Sequence, residues 1–220
     1  MVASPTKTVI LIVTLSCIYI VIQFQHPMWF RIFRSDAKVK RDCTPKDVQT
    51  DMLKLTYDIH IILKELGITH FLMYGSLWGA LRLNRPLPWD DDVDLGMIED
   101  GKFASLSIKE FERKFQEKGI RITDNLRQKS SYKFERDKGA VDLIIYYEYG
   151  DWMKRQGWEP WILSVHYNLH HTFPKLVINN KPLPERKFGW FNMPVPQYGI
   201  EIMKYMYRYD WWVEYQTESC

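Results

Sequence analysis

The chain has 220 residues, of which 46% are hydrophobic and 26% are charged, and this composition excludes a mainly disordered protein. Its three cysteines, Cys17, Cys43 and Cys220, are too few and too widely spaced for a disulfide framework or a Cys-rich zinc site. The net charge of +3 comes from the N-terminal fifth, because Lys7 contributes +1, residues 31–46 sum to +4 and residues 47–220 to −2. The body therefore lacks the basic excess typical of nucleic-acid-binding proteins, and we expect no nucleic-acid partner.

The N-terminal region contains a long apolar run. After a short tail at residues 1–7, residues 8–30 carry no Lys, Arg, Asp or Glu. About 20 apolar residues span a bilayer, and no small-residue cleavage site follows the run, which disfavours a cleaved signal peptide. We therefore expect one transmembrane signal anchor at 8–30, followed by a basic stem at 31–46.

The body, residues 47–220, shows the periodicities of both helices and strands. Apolar residues recur at helical spacing through 45–66, with Thr44 as the predicted N-cap and Gly67 as the predicted end. The patterns that follow predict a strand at 68–73, then Tyr74, Gly75 and Ser76 and after them a short helix to about Asn84, and a strand that ends the segment 90–97. Further along, they predict a helix at 107–119 with Ile108, Phe111 and Phe115 facing inward, a hairpin of 131–136 with 139–147 around the turn 137–139, and a helix at about 196–209.

This order of elements predicts the fold class. Helices and strands are mixed, but no β-α-β unit repeats along the chain. Such a pattern is typical of an α+β domain built on a small mixed β-sheet flanked by helices.

Three aspartates stand where paired strands would bring them together. Asp92 and Asp94 are two residues apart, so a strand points both side chains to the same face. Asp142 interrupts the apolar run AVDLI, where an acid is costly unless it is paired or bound to metal. If the two strands are neighbours, three carboxylates meet on one face and form a ligand set for Mg²⁺ or Mn²⁺, of the kind used in two-metal phosphoryl transfer.

Two nearby features extend this hypothesis. Gly75 and Ser76 follow a predicted strand and open a predicted helix, where backbone N–H groups and the helix N-terminus favour a phosphate. Asp90 is a further candidate as an outer metal ligand, whereas Asp91 is interpreted as a solvated loop acid. Either feature alone is weak, because acidic turns and Gly-Ser turns are common, and the hypothesis depends on their order along the chain.

Four segments of the chain resemble the signature of the LicD family, which includes fukutin and fukutin-related protein. The most specific is YGSLWGALRLNRPLPWDDDVDLGM at 74–97. The others, in chain order, are VDLIIYYE at 141–148, FPKLVINNKPLPERKFGWFNMPVP at 173–196 and YRYDW at 207–211. The resemblance covers about residues 47–215, most of the body.

The resemblance implies a nucleotidyltransferase-like fold and an activity. Family members transfer a phospho-alcohol of the ribitol phosphate, glycerol phosphate or phosphocholine type from a CDP-linked donor to a glycan. By position, Asp92, Asp94 and Asp142 would hold the metal ions. Gly75, Ser76 and Arg82 would hold donor phosphates.

The resemblance also implies a location, a single-pass type II protein of the Golgi or ER membrane with a luminal catalytic domain. This expectation conflicts with the positive-inside rule, which would place the basic residues 31–41, and with them the body, in the cytosol.

Two other function classes stay open at this point. One is a glycosyltransferase whose D-x-D motif binds a nucleotide sugar, although only about 45 residues separate the stem from Asp92, which disfavours a preceding nucleotide-binding half. The other is a non-catalytic, membrane-anchored partner that retains the fold. Loss of one of the three aspartates would have favoured that class, and all three are present.

Overall fold

The chain divides into two units, Met1–Lys40 and Arg41–Cys220. The computed structural model describes residues 9–18, 43–124, 131–155, 171–207 and 211. In the first unit, residues 9–18 form helix α1, most of whose side chains are exposed. Within the described ranges, no helix combines the length and apolar character needed to cross a bilayer. The rest of the proposed anchor and the stem up to residue 42 lie outside the described residues, so the anchor stays a prediction.

The second unit is built on a seven-stranded mixed sheet, which confirms the predicted α+β class. Its strands are β1 (His70–Leu72), β2 (Val93–Ile98), β3 (Arg121–Asp124), β4 (Ser131–Arg136), β5 (Gly139–Tyr149), β6 (Trp152–Arg155) and β7 (Phe173–Pro174). The order is β1-β2-β5-β4-β3, and β6 pairs with β5 and β7. Strands β2 and β5 are parallel and the other pairs antiparallel. A separate hairpin is formed by β8 (Glu185–Phe188) and β9 (Phe191–Pro194).

Helices pack against the sheet, and one of them covers the face to which the odd-numbered residues at the start of β5 project. The helices among the described residues of this unit are α2 (Lys46–Glu65), α3 (Tyr74–Leu83), α4 (Gly101–Ser105), α5 (Ile108–Gln116), α6 (Leu176–Asn179) and α7 (Glu201–Met206). Helix α2 packs on β4 and β5, and α5 packs on β3. Gly139 permits the approach of α2, because a Cβ there would lie 2.8 Å from the backbone of Asp51. The odd-numbered residues at the start of β5 therefore face α2, and the even-numbered residues face away from it.

Three local predictions need correction. Helix α2 begins at Lys46 after Pro45 without a side-chain cap. Thr44 instead donates its backbone N–H to the Pro88 carbonyl at 2.8 Å. In α5, Phe111 and Phe115 are buried as predicted. Ile108 is 37% exposed, so of these three residues only the two phenylalanines face the core. The last helix begins at Glu201 rather than near residue 196, since residues 198 and 199 adopt left-handed φ values.

Candidate metal centre

The parallel pairing of β2 and β5 brings the predicted acids together. In the register of these strands Asp94 is aligned with Asp142. The flanking residues Val93 and Val141 are fully buried on the side of α2, so the two aspartates lie on the opposite face. The strand neighbourhood expected from the sequence is therefore confirmed.

Asp92, directly before β2, completes a group of three carboxylates. One carboxylate oxygen from each of Asp92, Asp94 and Asp142 lies within 4.8 Å of the others, and all three residues are half-buried. Burial raises the pKa of Asp94 well above its usual range, and the charges of Asp92 and Asp142 raise it further. Burial and the charge of Asp142 raise the pKa of Asp92 in the same way. A divalent cation would relieve this repulsion, and three oxygen ligands suit Mg²⁺ or Mn²⁺.

Asp90 lies beside the triad and against the start of α3. A Cβ added to Gly75 would be 2.7 Å from Oδ2 of Asp90, so the missing side chain of Gly75 provides the space for that carboxylate. The charge of Asp90 also contributes to the raised pKa of Asp94. Asp90 is thus close enough to act on the triad without being one of its three members, consistent with the position of an outer ligand.

Ser76 joins α3 to the strand that carries the acids. Its hydroxyl oxygen accepts a hydrogen bond from the backbone N–H of Asp94 at 2.9 Å, and the side chain is 1% exposed. The carbonyl of Asp94 is also held, because it accepts a hydrogen bond from the backbone N–H of Met73 at 3.0 Å. These two bonds hold Asp94 against the N-terminus of α3. Direct contact of Gly75 and Ser76 with a donor phosphate stays a prediction.

Replacing Ser76 by alanine should destabilise the domain. The Asp94 N–H would lose its acceptor in a part-buried setting, which costs about 1–3 kcal/mol. Urea unfolding of Ser76→Ala measures this loss. The matched control is Ser105→Ala, whose exposed hydroxyl bonds only to the Lys102 carbonyl in the described chain and should change stability by less than about 0.5 kcal/mol. Equal stability of the two variants would contradict the bracing role.

Arg82 is not brought to the carboxylates by any contact described for it. Its guanidinium carbon lies 3.8 Å from the centroid of the Trp78 ring, in the last turn of α3. Arg82 comes six positions after Ser76, a rise of about 9 Å along the helix axis. Its assignment to donor phosphates remains an implication of the resemblance.

The site also contains polar groups that the sequence did not reveal. The Tyr74 hydroxyl is hydrogen-bonded to the Tyr146 hydroxyl at 2.9 Å and to Nδ1 of His171. Tyr74 has a φ of +46°, an uncommon conformation for an aromatic residue and a form of strain that concentrates at functional sites. The even spacing from Asp142 to Tyr146 could have placed the second tyrosine on the acidic face, whereas nothing local to the sequence indicated His171.

The sequence of this domain matches a known protein family. A model of the LicD/FKTN/FKRP nucleotidyltransferase domain matches residues 67–198, more than half of the chain. The chain belongs to the LicD family. The matched range of this LicD-family chain includes all three aspartates, so the resemblance and the nucleotidyltransferase fold inferred from it are confirmed.

Two curated relatives of this LicD-family chain are uncharacterized proteins of Rickettsia. The protein of Rickettsia typhi is 26% identical over 147 residues, which cover 64% of this chain and 46% of the relative. The protein of Rickettsia prowazekii is 29% identical over 86 residues, 39% of this chain and 32% of the relative. The matches therefore span less than half the length of these relatives.

Two solved structures also align with the LicD-family chain. The crystal structure of ANT(2″)-Ia in complex with adenylyl-2″-tobramycin has a TM-score of 0.44 and 18% identity, covering 71% of this chain and 74% of that one. The solution structure of the antibiotic-resistance factor ANT(2″)-Ia has a TM-score of 0.36 and 20% identity, with coverages of 46% and 50%.

Proposed function

We propose that the chain is a metal-dependent transferase that moves a phospho-alcohol from a CDP-linked donor to a hydroxyl group of a glycan. The phospho-alcohol is of the ribitol phosphate, glycerol phosphate or phosphocholine type. The observation that carries the proposal is the convergence of Asp92, Asp94 and Asp142 on one face of a LicD-family domain.

The residues of the site have distinct roles in this proposal. Asp92, Asp94 and Asp142 would hold Mg²⁺ or Mn²⁺, and the bound ion would offset phosphate charge in the transfer. Ser76 holds Asp94 in place through its backbone N–H. Helix α3 begins beside Asp94, and its N-terminal N–H groups and positive dipole end favour a phosphate there.

The proposed reaction is a single displacement at phosphorus. The acceptor hydroxyl oxygen forms a bond to the phosphorus that carries the alcohol. The bond from that phosphorus to the bridging oxygen of the diphosphate breaks, and CMP leaves with the electron pair. The acceptor's proton passes to water, so the products are CMP, a phosphodiester on the glycan and one proton.

A donor screen tests the proposal. The full chain in detergent is incubated with a glycan acceptor, Mg²⁺ or Mn²⁺, and CDP-ribitol, CDP-glycerol or CDP-choline in turn. We expect release of CMP from one of these donors and none from the Asp94→Asn variant. Release of nucleotide from a UDP-sugar instead would support the D-x-D glycosyltransferase, and no turnover of any donor would support a non-catalytic partner.

We further propose that the protein is a single-pass type II protein of the Golgi or ER membrane with the catalytic domain in the lumen. Residues 8–30 supply the apolar anchor. Cys43 is disulfide-bonded, and disulfides persist in oxidising compartments, which favours the lumen over the cytosol. Protection of the C-terminus from protease in sealed microsomes, with retention in the membrane after a carbonate wash, is the expected result. Digestion of the intact-vesicle sample would place the body in the cytosol, as the charge rule indicates.

A further inference from the structure

Two basic residues share the sheet face that carries the triad. Strands β4 and β6 both pair with β5, aligning Lys133 with Asp142 and Arg155 with Tyr146. Residues directly opposite each other in an antiparallel pair project to the same face, and positions 142 and 146 of one strand also share a face. Lys133 and Arg155 therefore project to the side of Asp142, away from α2, and both are half-buried.

The electrostatics of the acids show that both cations act at this centre. The charge of Arg155 lowers the pKa of Asp94, and the charge of Lys133 lowers the pKa of Asp92. Arg155 also lowers the pKa values of Tyr74 and Tyr146, so its guanidinium lies among the polar groups of the site. Burial and the neighbouring carboxylates nevertheless keep the pKa values of both aspartates raised, against the effect of the two cations.

We propose that Arg155, assisted by Lys133, binds the phosphate groups of the donor at the carboxylate centre. The inference rests on the proposed function for the identity of the donor. A diphosphate needs cationic groups in addition to a carboxylate-bound ion, and a guanidinium binds phosphate oxygens in a bidentate manner. The resemblance implied Arg82 for this role, but Arg82 stacks on Trp78 at the other end of α3, whereas Arg155 lies on the face of the acids.

The neighbour of Arg155 provides a matched control. Lys154 has the same charge and lies on the same strand, but it projects to the opposite face, where its Nζ is 3.9 Å from the centroid of the Tyr149 ring. For Lys133 the control is Lys138, an exposed lysine in the turn of the same hairpin that forms an ion pair with Asp47. Each comparison removes one positive charge, either from the face of the acids or from a position away from that face.

Binding of inorganic pyrophosphate and of Mn²⁺ to the full chain, measured by calorimetry, tests the inference without the transfer reaction. We expect Arg155→Met to weaken binding of pyrophosphate in the presence of Mn²⁺ by about 10-fold or more, the loss of a hydrogen bond to a charged group. Lys133→Met should weaken it less, and Arg155→Lys should retain part of the affinity. Lys154→Met and Lys138→Met should bind as the unsubstituted chain does.

The affinity for Mn²⁺ alone should not fall in these variants. Removing a positive charge beside the triad should leave Mn²⁺ affinity unchanged or raise it, whereas a general loss of structure would lower both affinities.

Unchanged pyrophosphate binding in Arg155→Met, an equal loss in Lys154→Met, or no pyrophosphate binding by the unsubstituted chain would overturn the inference. If Arg155→Met fails to fold, Arg155→Gln and Lys133→Met give the same comparison. Pyrophosphate binding that depends on Arg155, without turnover of any CDP-linked donor, would refute the proposed function and leave this inference standing.

Discussion

Replacing Asp142 by asparagine should greatly slow transfer while making the metal-free protein more stable. Asparagine has nearly the same shape but removes one of three negative charges whose oxygens lie within 4.8 Å. Metal-dependent CMP release should fall by about 100-fold or more, the scale of losing one preorganised electrostatic contact to a transition state. The charge of Asp142 repels that of Asp94 and raises the pKa of Asp94. Removing this charge should therefore stabilise the metal-free fold.

The pH dependence of stability separates this explanation from a simple packing defect. The pKa of Asp94 is raised in the folded state, so this carboxyl binds its proton more tightly when folded than when unfolded. The stability it contributes is fully present below the unfolded value of about 3.8 and is lost as the pH rises through the folded pKa. Urea unfolding in the presence of EDTA should therefore show the free energy of unfolding falling as the pH rises from 4 towards neutrality. Asp142→Asn should flatten this decline, and Mg²⁺ should reverse it in the unsubstituted chain.

Asp137→Asn is the matched control for this substitution. Asp137 lies in the turn between β4 and β5 with a φ of +53°, a conformation that asparagine also tolerates. We expect its activity, its metal response and its pH profile to match those of the unsubstituted chain. A stable Asp142→Asn protein with near-normal activity would remove Asp142 from the proposed metal ligands and weaken the transferase proposal with it.

The acidic part of the site could be predicted because its signals are local. The apolar neighbours of Asp94 and of Asp142 fix each of these side chains to one face of its own strand, and Asp92 stands two residues before Asp94, directly before β2. Only one further assumption was needed, that the two strands are neighbours, and the parallel pairing of β2 with β5 satisfies it.

The remaining polar groups could not be predicted because they depend on pairing between distant segments. Arg155 reaches the acidic face through the register of β6 on β5, and His171 reaches Tyr74 across 97 positions of sequence. The interpretation of Ser76 was incomplete for a related reason. A Gly-Ser turn before a helix resembles an exposed phosphate cradle, but the fold buries this hydroxyl against the Asp94 backbone.

The segment that carries the family signature also contains two glycines whose spacing has a structural cause. Gly75 and Gly79 are four residues apart and so lie on the same side of α3. After Asn84, which ends the helix with a φ of +56°, the chain turns back along this side towards the acids. It passes so close to the two glycines that neither position has room for a Cβ. The backbone of Arg85–Leu87 occupies this space at Gly79, and the Asp90 carboxylate occupies it at Gly75.

Replacing Gly79 by alanine should therefore cause the largest loss of stability among single-methyl additions to this helix. The added Cβ would lie 2.3 Å from the Arg85 carbonyl oxygen and 3.0 Å from the Leu87 nitrogen, and backbone atoms cannot rotate away as a side chain can. We expect a cost of about 3 kcal/mol or more, at the upper end of overpacking effects, measured by urea unfolding.

Because the displaced loop leads directly to Asp90 and Asp92, Mn²⁺ affinity should fall as well. Gly101→Ala is the control, since a Cβ on this first residue of α4 meets no atom within 4 Å. This substitution should stabilise the protein by about 0.4–1 kcal/mol, because alanine has less conformational freedom than glycine in the unfolded chain. A Gly79→Ala protein as stable as the Gly101→Ala control, with unchanged Mn²⁺ affinity, would show that the loop can move without disturbing the carboxylates, and close packing of the loop would then not explain the glycine spacing.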